Sequence, residues 1–366
     1  MRLLDLQLSN FRNYRELELN FEPGVNLIVG NNAQGKTNLL EAIYYAGCGK
    51  SFRAQKTSEM IRFGEDFGEI SANVFSQERQ QQLRYVLFSG SRPRQIWRNG
   101  AKKKSASELA GVLPTVLFCP EDLMVLKTGA APRRRLGDHA LCALRPNYDA
   151  ALTEYNRILD QKTRILKDHF DHPGLLEVLP EYNTRLCQVG ALLISYRARF
   201  YDSLGKEAAK YHSQFSGGAE EFRLAYKTVS TVKDPFASVQ QLTQDLMDHQ
   251  VSHHWAELDS AQCLTGPHKD DFEVSLSGID LKAYGSQGQT RTAAISLKLA
   301  QRELMAREWG EEPVLLLDDV LSELDQGRQD FILNQIVSGQ VFITCCEPGR
   351  FTKLGKTVEI EKGQVK

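Results

Sequence analysis

The sequence predicts an α/β fold built around a phosphate-binding loop, with a helical domain inserted into it. Three observations point there. "GNNAQGKT", Gly30 to Thr37, sits between a strand-like "VNLIV" and a helix-like "TNLLEAIYYA". An apolar run, Val314–Leu317, ends in the acidic pair Asp318 and Asp319. Between these two pieces, from about residue 119 to 260, strand-like composition gives way to amphipathic helix.

The loop matches G-x-x-x-x-G-K-[ST]. Its glycines let the backbone fold tightly, so that the amides of Gly30, Asn31, Asn32, Ala33, Gln34 and Gly35 face inward as an anion nest. The helix that follows, which includes Asn38, adds its N-terminal dipole. Lys36 is expected to reach the β- and γ-phosphates of a nucleotide, and Thr37 to hold Mg²⁺ through its hydroxyl. The strand follows a Pro23-Gly24 turn, and Leu39, Ile43 and Ala46 fall on one helical face.

Such a loop needs an acidic residue at the end of a second strand. The continuous apolar run Val314–Leu317 suits a strand buried on both faces. Asp318 at its end is expected to bind Mg²⁺ through water, and Asp319 to orient or deprotonate an attacking water. Downstream of the inserted helices, "YGSQGQTRTAAISLKLAQREL" opens a long helix on Gly285, Ser286 and Gly288, with Ser286 suited to be its N-cap.

Composition bounds the rest. With 366 residues, 42% apolar and 25% charged, the chain suits a globular protein with a full core. Its net charge of −1 means that binding to an acidic polymer has to come from local patches. The seven cysteines form no C-x-x-C pair, and Cys345 and Cys346 are adjacent, which argues for a reducing cytosol over a disulfide framework. The start, "MRLLDLQLSNFRNY", shows no apolar signal region, and runs such as "PVLLL" are too short to span a bilayer. The chain is therefore expected in the cytoplasm, with no membrane partner.

Charge is uneven within that balance. Between Glu78 and Lys104 stand eight basic residues and one acidic one, with Trp97 interleaved. Arg92, Arg94, Lys102, Lys103 and Lys104 are candidates to track a phosphate backbone, against the alternative of a solvated sheet face. "RYVLF" and "RQIWRNGAKKK" read as antiparallel strands, the second folded on an Asn99-Gly100 turn. Arg133–Arg135 form a second cluster, open to DNA, nucleotide or another protomer. His249, His253 and His254 lack a cysteine or carboxylate at metal-ligand spacing and read as part of a polar helix.

Two helices carry the insertion. "YDAALTEYNRILDQKTRILKDH" places Leu152, Tyr155, Leu159 and Ile165 near one face. After a His172-Pro173-Gly174 turn, a returning helix begins at "LPEYNTRLCQVG". The pair is expected to be about 40–50 Å long.

"SQGQ" resembles the signature motif of ABC-type ATPases, and "SELD" (Ser322–Asp325) then falls where that family has its dimer-interface loop. "LSNFRNY", "FCPEDL", "RRRLGDHAL", "TGPHKDDFEV", "YGSQGQTRTAAISLKLA" and "LLLDDVLSELD", in that order, resemble the RecF family, bacterial recombination and gap-repair ATPases related to SMC and Rad50 heads.

The resemblance implies an ABC-type head, a mixed sheet plus an antiparallel β subdomain, split into 1–118 and 261–366 around a helical arm at 119–260. It implies that Ser286, with Gln287 and Gly288, acts in trans on the γ-phosphate of ATP held by a partner subunit. It adds Arg12 to the nucleotide site and puts His268, with Asp270 and Asp271, near the core of the head. It implies a homodimer closed by ATP on gapped DNA at junctions of single and double strands, with slow, DNA-stimulated hydrolysis and with RecR and, indirectly, RecA as partners. The chain departs from the ABC pattern in three places. Thr344 or a cysteine stands in the region of the usual histidine, no Q-loop glutamine emerges, and Asp319 replaces the usual glutamate. The rival readings are an ABC transporter nucleotide-binding subunit, a P-loop small-molecule kinase and an ATP-gated scaffold that hydrolyses negligibly. Salt-dependent DNA binding that strengthens with ATP separates the first two, and phosphate release separates the third.

Overall fold

The computed structural model describes every residue except 110, 337, 347 and 348, and gives the backbone alone at 107 and 350. In chain order the first elements are β1 (Arg2–Phe11), β2 (Tyr14–Asn20), β3 (Val25–Val29), α1 (Lys36–Cys48), β4 (Phe67–Ser76), β5 (Arg79–Phe88), β6 (Gln95–Arg98), β7 (Ala101–Lys103) and β8 (Thr115–Phe118). Then come α2 (Ala130–Leu144), α3 (Pro146–Asp168), α4 (Leu179–Ser216), β9 (Phe222–Lys227), α5 (Val239–Ser252), α6 (His254–Ser260), β10 (Asp271–Leu276), β11 (Ile279–Asp280) and α7 (Leu281–Tyr284). The chain ends with α8 (Gln287–Trp309), β12 (Val314–Asp318), α9 (Gln326–Gln335), β13 (Val341–Cys345), β14 (Gly355–Glu361) and β15 (Gln364–Val365).

Two compact units result. The first comprises Met1–Leu123 and Lys298–Lys366, and the second Met124–Leu297. In the first unit, one sheet has the order β2-β1-β4-β5-β6-β7 and is antiparallel throughout. The other has the order β15-β14-β3-β13-β12-β8, with every pair parallel except β14 and β15. Helix α1 joins their cores. Leu39, Ile43 and Ala46 are fully buried in one cluster with Leu6 and Ile70 of the antiparallel sheet and Leu316 and Phe342 of the parallel one. Strand β12 is buried along its whole length, as a strand covered on both faces should be. The β6–β7 turn has positive φ at both Asn99 and Gly100, the geometry that matches the twist of a two-residue hairpin.

In the second unit, α3 and α4 pack with α5 and the short sheet β11-β10-β9. Helix α3 has 23 residues and α4 has 38, so at 1.5 Å per residue they span about 35 and 57 Å rather than an equal pair. The buried face of α3 is Tyr148, Ala151, Tyr155, Ile158, Lys162, Ile165 and Leu166. Leu152 and Leu159 flank it. Lys162 takes the interior place because Glu257, itself buried, lies 2.6 Å from its ammonium.

The division expected at residue 260 falls inside the second unit, because β9 and β10 pair residues 222–227 with 271–276. The unit closes only within α8. His268 follows the same correction. It belongs to the second unit rather than to the core of the head, with Nδ1 accepting from the Tyr155 hydroxyl at 2.7 Å and Nε2 donating to the Cys263 carbonyl at 2.9 Å. Among the described residues, no helix is long and apolar enough to cross a membrane.

Candidate nucleotide site

The loop from Gly30 to Gly35 leaves β3 and enters α1. Both glycines are forced. At Gly30 (φ 153°) a Cβ would stand 2.3 Å from the Ile360 carbonyl oxygen. At Gly35 (φ 119°) it would stand 2.6 Å from Asn13 Nδ2 and 3.0 Å from the Tyr14 hydroxyl. Those two side chains brace the loop from outside. Asn13 Nδ2 donates to the Gln34 carbonyl at 2.8 Å, and the Tyr14 hydroxyl donates to the Gly35 carbonyl at 2.9 Å. Asn38 Nδ2 closes the set by donating to Asn13 Oδ1 at 2.8 Å. Asn13 and Tyr14 lie inside "LSNFRNY", but nothing local in that stretch reveals that they support the loop.

Lys36 is buried, with its ammonium donating to the carbonyls of Gly30 (2.7 Å) and Asn31 (3.2 Å) and lying 3.4 Å from Cys346 Sγ. None of these partners is a carboxylate. A desolvated cation folded over such a loop is suited to receive phosphate oxygens in place of its carbonyl partners.

The acidic pair is brought to the same place. The Thr37 hydroxyl donates to Asp318 Oδ1 at 3.0 Å, and the Thr344 hydroxyl donates to the same oxygen at 2.8 Å. Thr344 lies opposite Asp318 in the parallel register of β12 and β13. It also accepts the Asp319 N–H at 2.8 Å. Thr344, not a cysteine, is thus the residue tied to the acidic pair, while Cys346 Sγ bonds Asn32 Oδ1 at 2.9 Å.

Burial pushes the Asp318 carboxyl above the usual carboxylate range, the two hydroxyl bonds oppose that shift, and the Asp319 charge adds to it. Asp319 has a left-handed backbone (φ 53°), uncommon for a residue with a side chain, and its Oδ1 is buried without a partner among the described residues. A buried carboxylate held by two hydroxyls, beside a carboxylate oxygen orphaned among the described residues, fits a site that takes a divalent cation.

The signature stretch lies in the second unit. Ser286 is exposed and caps α8 through a reciprocal pair: Gln289 N–H donates to Ser286 Oγ at 3.2 Å, and Ser286 N–H donates to Gln289 Oε1 at 2.9 Å. Gln287 is exposed and Gly288 half-buried. In the "SELD" stretch, Asp325 caps α9 by accepting from the Arg328 N–H.

Arg12 is held in the first unit. Its guanidinium grips both carboxylate oxygens of the buried Glu41 at 2.8 Å and donates to the Glu59 carbonyl at 2.6 Å. These bonds tie Arg12 to the α1 helix that follows the loop. The basic candidates divide in the same way. Arg94 donates to the Tyr45 hydroxyl at 2.7 Å and to the Gly49 carbonyl, and Lys103 lies 3.9 Å from Glu108. Arg92, Lys102 and Lys104 are exposed, Arg92 over the ring of Phe88. Arg133 is buried, with Asp271 accepting two bonds from it at 2.6 Å. Arg134 donates to the Asp270 carbonyl at 2.6 Å, and Arg135 is exposed. His249 stacks on His253 at 3.9 Å and shares a hydrogen bond with the Thr265 hydroxyl.

A family model described as the RecF/RecN/SMC N-terminal domain matches residues 2–366. The chain is 40% identical to the DNA replication and repair protein RecF of Agathobacter rectalis over 370 residues, covering 100% of this chain and 99% of that protein. It is 40% identical to the RecF of Desulforamulus reducens over 346 residues, covering 94% and 92%. Among solved structures, the recombination mediator protein RecF-ATPrS of the RecFOR pathway aligns with a TM-score of 0.93 at 33% identity, covering 100% of this chain and 97% of that one. An Smc head domain from Pyrococcus furiosus shares the fold at a TM-score of 0.56 and 16% identity. The chain belongs to the RecF family of DNA replication and repair proteins, ABC-type ATPases related to SMC heads.

Proposed function

We propose that this chain is an ATP-dependent DNA-binding protein of recombinational gap repair, working in the cytoplasm. In this reading it engages gapped duplex at junctions of single and double strands, dimerises on ATP, and hydrolyses ATP slowly, faster on DNA. It acts with RecR and, through RecR, on the loading of RecA. The observation that carries the reading is the meeting of Thr37, Asp318, Thr344 and Asp319 beside a braced phosphate loop, in a chain that matches RecF proteins from end to end. The solved relatives are described as RecF-ATPrS and RecF-ATP, which supports ATP as the ligand here.

The roles follow from the chemistry. The loop amides and Lys36 bind the phosphates. Thr37 and Asp318 would hold Mg²⁺, which when bound would supply charge that neutralises the phosphates. Asp319 accepts the proton of the attacking water, and being a methylene shorter than glutamate it does so slowly. Ser286 of a second copy donates its hydroxyl to the γ-phosphate, with Gln287 and Gly288 beside it. Arg92, Lys102 and Lys104 meet the DNA backbone, and Arg12, its guanidinium fixed by Glu41, contributes to the nucleotide site. The basic sheet edge and the signature cap favour this reading over a transporter subunit or a small-molecule kinase.

The test is DNA binding measured against salt, with and without ATP, for wild type and Lys36→Ala. The reading expects salt-dependent binding strengthened by ATP in wild type and not in the mutant. ATP-strengthened binding that survives in Lys36→Ala would sink it.

A further inference from the structure

The signature serine of this chain is held by a relay of side chains that reaches back into the end of α4. His212, on α4, is fully buried. Its Nε2 lies 2.9 Å from Glu220 Oε2. The other oxygen of Glu220 accepts from Gln289 Nε2 at 2.7 Å. Gln289 then makes the reciprocal cap with Ser286. All four residues lie within the second unit.

The directions of these bonds follow from what each group can do. A carboxylate accepts and does not donate, so the Gln289 amide must turn its NH₂ towards Glu220. That leaves the amide oxygen facing the Ser286 N–H. The Ser286 oxygen in turn accepts from the Gln289 backbone N–H, so the hydroxyl hydrogen of Ser286 is left to point outward. His212 must present Nε2–H to the same carboxylate, and its Nδ1 is buried without a partner among the described residues. Without Glu220 the Gln289 amide is oriented by the Ser286 N–H alone and its NH₂ loses the partner that fixes the side chain.

We propose that Glu220, anchored by His212, is the positioning residue that aims Ser286 at the γ-phosphate of ATP bound to a second copy of this chain. The inference rests on the ATP-dependent dimer proposed above. It makes the end of α4 part of the machinery that closes the dimer, although Glu220 touches no nucleotide.

The experiment compares wild type, Glu220→Ala, Glu220→Gln and Gln289→Leu for ATP affinity at protein concentrations where the chain is monomeric, and for the dimer dissociation constant in saturating ATP. Losing a hydrogen bond to a charged group shifts such an equilibrium by about tenfold or more. Glu220→Ala is expected to weaken the dimer by about tenfold with monomer ATP affinity within about twofold of wild type. Glu220→Gln keeps an acceptor for Gln289 and is expected to restore most of the dimer. Gln289→Leu leaves the His212–Glu220 pair intact and is expected to fail like Glu220→Ala, so it carries the test if the alanine variant does not fold. Wild-type dimerisation in Glu220→Ala or Gln289→Leu overturns the inference, as does a Glu220→Gln variant as weak as the alanine one. A wild-type chain that stays monomeric in ATP overturns the proposed function itself and is recognised before any variant is compared.

Discussion

Thr344 shows what a single hydroxyl contributes to the site. It donates to the carboxylate proposed to take the metal and accepts from the backbone of the residue proposed to take the proton, both at 2.8 Å. Thr344→Val keeps the shape but leaves the Asp319 N–H unpaired and Asp318 Oδ1 with the Thr37 hydroxyl alone, a loss of about 2 kcal/mol in stability. Urea unfolding measures that loss, and steady-state hydrolysis is expected to fall with it, with Thr344→Ser close to wild type on both. A valine variant as stable and as active as wild type would leave Thr344 without a role in the site. Lys36, Thr37, Asp318 and Asp319 are legible in the sequence because the loop has a fixed spacing and the acidic pair ends an apolar run. Thr344 is only half legible, since the strand "VFITCC" offers three polar candidates and the register of β12 on β13 chooses among them. Asn13, Tyr14 and Glu220 are not legible as site residues. Each acts through a partner distant in sequence, for which neither spacing nor residue type is a signal.

At the scale of elements, the second unit carries a pH-sensitive joint between α3 and the turn before β10. Burial pushes the His268 imidazole down to about 4, from an ordinary value of 6.5. Its neutral form suits its partners, because Nδ1 accepts from Tyr155 and Nε2 donates to Cys263. The folded pKa is below the unfolded one, so the unfolded chain takes up the proton first as pH falls. Stability from this group is therefore complete above pH 6.5, drains between 6.5 and 4, and changes no further below that. The total is about 3 kcal/mol at 1.36 kcal/mol per unit. In denaturant unfolding from pH 7 to 4, His268→Gln is expected to lose less stability than wild type, and equal slopes would contradict this.

The basic hairpin makes a second element-scale prediction. Arg92, Lys102 and Lys104 are exposed, whereas Arg94 is tied to Tyr45 and Gly49. Reversing the three exposed charges to glutamate is expected to lower the log–log salt slope of duplex binding by about 0.9 for each phosphate that the protein no longer neutralises. An unchanged slope would make this edge a solvated face. Arg94→Glu is expected instead to cost stability. The sequence shows the cluster's sign but cannot divide it, since pairing with Tyr45 or Glu108 is a matter of packing. Lys162 on α3 is the reverse case, a lysine on the buried face because Glu257 waits there.

At the scale of the whole molecule, the sequence points to the fold class, the split head and the helical insertion. The second boundary moves because the pairing of β9 with β10 is non-local, and strand pairing at that separation leaves no periodic trace. The phosphate loop and acidic pair belong to one unit and the signature cap to the other. In the proposed function ATP joins two chains through these parts. The most direct test of that claim is the solution mass of wild type, Ser286→Arg and Asp319→Asn, each with and without ATP, with phosphate release followed in parallel. Wild type is expected to double its mass in ATP and return slowly to monomer. Asp319→Asn is expected to double, stay doubled and release little phosphate, and Ser286→Arg to bind ATP but remain monomeric. A Ser286→Arg chain that doubles its mass in ATP, or a wild-type chain that never does, would contradict the claim.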